Sequence, residues 1–219
     1  MIELKQFVFN PLQVNTWLIH VIGGDGILID PACMTQEEFS QLSSFIDQQG
    51  VDLKYIINTH GHFDHVFGIG MVKSRYNVPF LIDRKDQALL GSAPHQAGVF
   101  GFDFPDPLPG PDGYLEDGQL IRCGEIELEV IQVPGHSPGG TAFYLRSLGW
   151  LFSGDTLFAG SIGRSDLPGG DSGVIIKSIT ERLFPLPDTT QVFPGHGPST
   201  TIGREKMRNP YVGQVTRDS

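Results

Sequence analysis

The hydrophobic positions change period several times along the chain. Residues 2–9 and 14–22 are rich in β-branched and aromatic residues and are parted by Asn10-Pro11, which predicts two strands. Gly23-Gly24-Asp25-Gly26 reads as a turn, and Ile27-Leu28-Ile29 as a short buried strand ending at Asp30-Pro31. Thr35 then opens a helix, with Glu38 at the capping-box spacing. Phe39, Leu42, Phe45 and Ile46 recur on one helical face, and Gly50 ends the helix. Residues 53–58 read as a second buried strand, so strand, helix and strand follow in the order of a layered α/β arrangement.

Residues 66–92 predict a helix, a strand at Phe80-Leu81-Ile82 and a further short helix. Residues 93–113 are rich in Pro, Gly and aromatics. Phe100, Phe102 and Phe104 are poor linker residues, so this stretch reads as an ordered surface loop placed over a pocket. Strands are predicted over 119–133, 141–146 and 150–153, and a Gly-rich loop over 157–171. Ser172 is expected to cap a helix that turns Ile175, Ile176, Ile179 and Leu183 inward and stops at Pro185 and Pro187. A last strand, 189–193, leads to Gly195-His196-Gly197. No composition shift marks a boundary, which predicts one domain over residues 1–219.

Composition narrows the class. The 219 residues carry 15 Lys and Arg against 25 Asp and Glu, a formal charge of −10, with 28 Gly and 16 Pro. An apolar share of 39% is ample for a packed core and excludes a disordered chain. The acidic balance and the lack of a Lys/Arg block argue against nucleic acid as a partner. No apolar run approaches the ~20 residues of a membrane span, and the N-terminus lacks a signal-peptide pattern. Cys33 and Cys123 form no motif and read as free thiols of a reducing cytoplasm, the expected location.

The chemistry concentrates in Thr59-His60-Gly61-His62-Phe63-Asp64-His65, directly after a predicted buried strand. Imidazole and carboxylate are the donors that Zn²⁺, non-haem iron and manganese take. In an extended segment His60 and His62 point the same way and can share one ion. Asp64 and His65 follow where the chain turns towards a helix, within reach of a second ion. Two-metal hydrolases hold their ions about 3.5–4 Å apart. Solvated or helix-capping histidines are the plain alternative, but so dense a cluster would be costly to bury without a cation. His136, Asp155 and His196 each follow a predicted strand, and Pro134-Gly135-His136-Ser137-Pro138 echoes Pro194-Gly195-His196-Gly197-Pro198. An Asp at a strand end can bridge two cations.

Taken in order, these motifs resemble the metallo-β-lactamase superfamily across essentially the whole chain, and within it the short, single-domain glyoxalase II type. Gly163-Arg164-Ser165-Asp166, Pro168-Gly169-Gly170 and the run from Gly197 to Asn209-Pro210 carry that closer likeness. The resemblance implies a four-layer αββα sandwich with two divalent metal ions at one edge, zinc first, iron or manganese otherwise. It implies His60, His62 and His136 on one ion, Asp64, His65 and His196 on the other, and Asp155 between them. Asp64 and Asp155 would be catalytic, Asp64 by orienting a metal-bound hydroxide. The implied reaction is hydrolysis of a small-molecule thioester, glutathione-derived and of the S-lactoylglutathione kind. A thiolate leaves readily, so the lack of a spare general acid suits a thioester or lactone better than an amide. Common β-lactamases carry Cys where this chain has Asp155, which disfavours lactams.

Two departures matter. Only about 23 residues follow His196, so the C-terminal helical region of long glyoxalase II enzymes is expected to be missing or much reduced. Arg164-Ser165-Asp166 is closer to the persulfide dioxygenases, which use one iron. Persulfide oxidation is therefore one alternative, lactone or other ester hydrolysis a second, and a non-catalytic metal-binding module a third; the last would show a lost ligand, and none is lost. Arg164 reads either as the partner of a carboxylate or as the contact for an anionic substrate tail. Gly135-His136-Ser137-Pro138-Gly139 matches a nucleophile elbow, but a strand-like segment, not a helix, follows it. His20, Trp17 and Trp150 read as core, His95 as exposed loop, and Arg204, Lys206 and Arg208 as a solvated cationic group. The oligomeric state is left open.

Overall fold

The computed structural model describes residues 1–105 and 107–213. They divide into two compact units: Met1–Leu115 with Ile121–Glu127, and Glu116–Leu120 with the chain from Leu128 onward.

In the first unit, β1 (Ile2–Phe9), β2 (Val14–Val21) and β3 (Asp25–Ile29) pair antiparallel. Next, β4 (Asp52–Ile57), β5 (Phe80–Asp83) and β6 (Gly113–Leu115) add in parallel, giving the sheet order β1-β2-β3-β4-β5-β6. The antiparallel half uses a tight turn at Gly23-Gly24, while the parallel half needs crossovers. Helix α1 (Gln36–Gln48) supplies the first; Thr35 caps it and Glu38 closes a full capping box, as its spacing predicts. Its Phe39, Leu42 and Ile46 pack on Leu18, Leu28, Ile56 and Phe80 of the sheet. Trp17 of β2 is buried in this unit. The parallel register aligns the carboxyl ends of β3, β4 and β5 at one edge, where open α/β sheets bind ligands.

Helix α2 (Ile69–Tyr76) falls within the predicted stretch. By contrast, α3 (Gln87–Val99) runs on through residues read as loop, past Pro94. Leu90, Ala93 and Ala97, at i, i+3 and i+7, bury one face, and that burial outweighs the missing N–H of Pro94. His95 is exposed but helical. Phe102 and Phe104, after α3, pack on Phe67, and Phe100 stacks on Phe63 with centroids 5.2 Å apart.

The second sheet has the order β14-β13-β10-β9-β8-β7. Its strands are β7 (Leu120–Cys123), β8 (Ile126–Gln132), β9 (Thr141–Leu145), β10 (Trp150–Gly154), β13 (Gln191–Pro194) and β14 (Thr200–Thr201), the predicted 119–133 strand breaking at Gly124. The Gly-rich loop contains a small hairpin, β11 (Leu157–Phe158) with β12 (Ser161–Ile162). Helix α4 (Ser172–Ser178) is capped by Asp171, whose carboxylate accepts from Val174 N at 2.9 Å, and not by Ser172. Ile175, Ile179 and Leu183 are buried against Leu151 and Val192, whereas Ile176 is 40% exposed: a step of 100° from Ile175 carries it off the inner face. Trp150 is half-buried beside Phe193. Helix α5 (Ile202–Arg208) follows β14 directly, with Thr201 as its cap.

Candidate metal centre

The first unit carries His60, His62, Asp64 and His65 on the turn after β4, all buried. The rings of His60 and His62 lie edge to face with centroids 4.8 Å apart, and those of His60 and His65 lie 4.2 Å apart. The extended backbone of His62, followed by the 3₁₀ turn Phe63–His65, makes this arrangement. Asp64 Oδ2 is 3.8 Å from His65 Nε2.

Asp30, at the end of the adjacent β3, orients two rings of this cluster, His60 and His65. Its Oδ1 accepts from Thr59 N at 2.7 Å; its Oδ2 accepts from Thr59 Oγ1 at 2.6 Å and from His65 Nδ1 at 3.0 Å. An ionised carboxylate only accepts, so the Thr59 hydroxyl proton points at Asp30 and His65 carries its proton on Nδ1. Thr59 Oγ1 must then accept from His60 Nδ1, 3.0 Å away. Both imidazoles are thereby held with Nε2 as the lone-pair nitrogen, the form in which histidine ligates a cation. Asp30 lies with His60 and His65 in one group of ligand-type atoms within 4.8 Å. With both of its oxygens already accepting, it orients rather than ligates.

Further side chains tie the backbone of the motif. Asn10 Nδ2 donates to Asp64 O at 3.1 Å, Asn58 Nδ2 to His65 O at 2.9 Å, and Gly61 N to Asp86 Oδ2 at 2.9 Å. Asp30 itself sits at φ 50°, a left-handed conformation that Asp tolerates better than most residues. Sequence reading passed over Asp30, Asn10 and Asp86. The one sequence signal for Asp30 is its place, an Asp at a strand end, which it shares with Asp155.

The second unit brings His136, Asp155 and His196 together. Strands β10 and β13 are parallel neighbours, Gly154 facing Pro194, so Asp155 and His196 leave the same edge. Strand β8 runs with them through antiparallel β9 and delivers His136. Asp155 Oδ2 lies 3.7 Å from His136 Nε2 and 3.5 Å from His196 Nε2. Two donors on one tetrahedral cation at 2.0–2.1 Å sit about 3.3 Å apart, so each spacing fits a pair of ligands that share an ion. His136 Nδ1 donates to Arg164 O at 2.7 Å, which again makes Nε2 the lone-pair nitrogen. The whole donor set is imidazole and carboxylate, the set that suits zinc, iron and manganese.

Backbone packing positions this second group. Gly163 lies so close to Asp155 that a Cβ would overlap the Asp155 carbonyl oxygen, and a Cβ on Gly135, at φ 127°, would collide with Ile175. Arg164 is exposed and holds Asp166 through both guanidinium bonds at 2.8 Å, the carboxylate-partner reading. That pairing pulls the Asp166 carboxyl down to about 2 and raises Arg164. Ser137 is followed by β9, the strand context that disqualifies a nucleophile elbow.

The family profile described as "Metallo-beta-lactamase superfamily" matches residues 9–196. The chain is 36% identical over 207 residues to hydroxyacylglutathione hydrolase GloC of Haemophilus influenzae, covering 91% of this chain and 93% of that protein. A crystal structure of the BLEG-1 B3 metallo-β-lactamase superposes with a TM-score of 0.85 at 31% identity over 96% of this chain and 99% of that one. Another, of TTHA1623 in a di-iron-bound form, gives a TM-score of 0.83 at 36% identity over 94% and 99%. No helix among the described residues is long and apolar enough to cross a membrane.

Proposed function

The chain belongs to the metallo-β-lactamase superfamily, and from that membership we propose that it is a metal-dependent thioesterase acting on small, glutathione-derived thioesters such as S-lactoylglutathione. The observation that carries the metal-dependent part is the hydrogen bonding at Nδ1 of His60, His65 and His136: Asp30 through Thr59, Asp30 itself and the Arg164 carbonyl each claim an Nδ1–H and leave Nε2 as the ligating nitrogen. Likeness to a protein named hydroxyacylglutathione hydrolase supports the substrate class.

By the family's pattern, His60, His62 and His136 would hold one ion, Asp64, His65 and His196 a second, with Asp155 shared. Zinc is the first choice, and the di-iron form of a 36% identical structure makes iron the next, with manganese third. Bound divalent cations would supply Lewis-acid polarisation of a carbonyl and acidify water towards a pKa of ~7. The chain's own residues do the rest. Asp64 and Asp155 offer carboxylate oxygens that accept a hydrogen bond from the attacking water and orient it. The apolar Phe63–Phe100 stack, next to His62 and Asp64 in sequence, limits water on that side. Arg164 meets an anionic substrate tail by exchanging its partner Asp166. The reducing cytoplasm suits two buried free thiols, and the acidic chain is expected to act without nucleic acid or membrane as a partner.

The test is to load the protein separately with Zn²⁺, Fe²⁺ and Mn²⁺, measure the bound metal, and assay one preparation four ways. Those assays are S-lactoylglutathione hydrolysis, lactone hydrolysis, β-lactam hydrolysis and oxygen uptake with glutathione persulfide. Thioester hydrolysis is expected to give the highest kcat/KM. Oxygen uptake without thioester hydrolysis under any metal would replace this reading with the persulfide dioxygenase one.

A further inference from the structure

Outside the ligand-type residues, the described residues of the second unit include one carboxylate that is 1% exposed and carries no role in the reaction, Glu205 of α5. Burying a carboxylate is costly unless hydrogen bonds replace its water. Glu205 has three. Its Oε1 accepts from Thr200 Oγ1 at 2.6 Å, and its Oε2 accepts from Gly160 N and from Asn209 Nδ2, each at 2.9 Å. Asn209, fully buried, also donates to Ser161 O at 3.0 Å.

These bonds fall on two loops that carry the metal-type side chains. Gly160 lies in the turn of the β11–β12 hairpin and Ser161 opens β12. That hairpin starts two residues after Asp155 and ends one residue before Gly163, which packs on the Asp155 carbonyl. Arg164, next along, gives the carbonyl that fixes His136. Thr200 closes the loop that begins with His196, and Phe158 of the hairpin lies edge-on to the His196 ring at 6.4 Å. One carboxylate thus clasps both loops from below.

We propose that Glu205 is a positioning residue for His136, Asp155 and His196, setting metal affinity through the hairpin and the Thr200 turn without touching the ion or the substrate. The inference rests on the metal-binding part of the reading above and is independent of the thioester. Its test is Co²⁺ titration of chelator-stripped protein, read by visible absorption, alongside melting of the metal-free form. Glu205→Ala should lose ~10–100-fold in Co²⁺ affinity and change the absorption bands, the scale seen when a ligand's support is removed. Glu205→Gln should stay within ~3-fold: its carbonyl can accept from Gly160 and Asn209 while its amide donates to a reversed Thr200 hydroxyl. Ile179→Ala, in the core of the same unit, should lower the melting temperature and leave the absorption bands unchanged. Should Glu205→Ala fail to fold, Thr200→Val takes its place, with an expected loss of ~10-fold, the bottom of that range. Wild-type affinity and spectrum in the folded Glu205→Ala or Thr200→Val variant would overturn the proposal, as would equal losses in Glu205→Gln and Glu205→Ala, or in Ile179→Ala. A wild-type protein that binds Co²⁺ but cleaves no thioester would sink the substrate reading alone.

Discussion

Between Asn58 and His65 the chain is tied to side chains from distant positions: Asn10 on the Asp64 carbonyl, Asp86 on the Gly61 amide, Asp30 on Thr59 and His65. His136, Asp155 and His196 are placed instead by strand ends, a carbonyl and the bare Cα of Gly163. The first group is compact in sequence and braced by polar side chains. The second is spread over 61 positions, from 136 to 196, and braced directly by main chain, with the Glu205 side chain holding its loops from further out. Side-chain bracing can be removed one atom at a time. Main-chain bracing yields only when the loop itself moves.

The sharpest way to break this contrast is at the carboxylate that faces both histidines of the second group. Asp155→Ala is expected to lose bound metal and at least ~100-fold in thioester hydrolysis, checked by elemental analysis and steady-state kinetics. Full activity would mean the shared role is misassigned. Next is Asp30→Asn, which keeps a residue tolerant of φ 50° but replaces one acceptor oxygen by a donor. It should cost ~10-fold or more in metal affinity, measured by competition with a chromogenic chelator. Gly163→Ala should cost ~1–3 kcal/mol in urea unfolding of the metal-free protein, the range for forced overpacking, while the equivalent change at exposed Gly91, inside α3, should stabilise by ~0.5–1 kcal/mol.

The smallest effect is a pH dependence confined to the first unit. His20 is buried in β2, its Nδ1 has no hydrogen-bond partner among the described residues, and burial lowers its pKa below 6.5, against the opposing pull of Glu3 across the strand pair. The fold therefore holds His20 neutral. Above 6.5 both states are neutral and it costs nothing. As pH falls below 6.5 the unfolded chain takes up a proton the fold resists, and stability is lost down to the folded pKa. His20→Phe should flatten the stability profile of the metal-free protein over that acid window.

Much of this was legible in the residues. The elements up to His60 follow from period, caps and turns that agree with one another. His60 to His65 stands out because its donors are neighbours in sequence, and His136 and His196 because their turns echo each other. What stayed hidden depends on register. Asp30 acquires its partners only when β3 lies beside β4, and Glu205 reads as one more charge on a short helix until Gly160 and Thr200 are brought to it. Helix α3 outlasts Pro94 because its buried face decides, and no local propensity reports that. Asp171 displaces Ser172 as cap for the same reason: both residue types suit the position, and the turn before α4 chooses between them.

Trp17 is enclosed in one unit and Trp150 sits half-covered in the other, and the sequence has no third indole. Replacing either by Phe leaves a single intrinsic fluorophore that reports on one half of the molecule, so emission during denaturation would tell whether the halves melt as a single cooperative block or in succession.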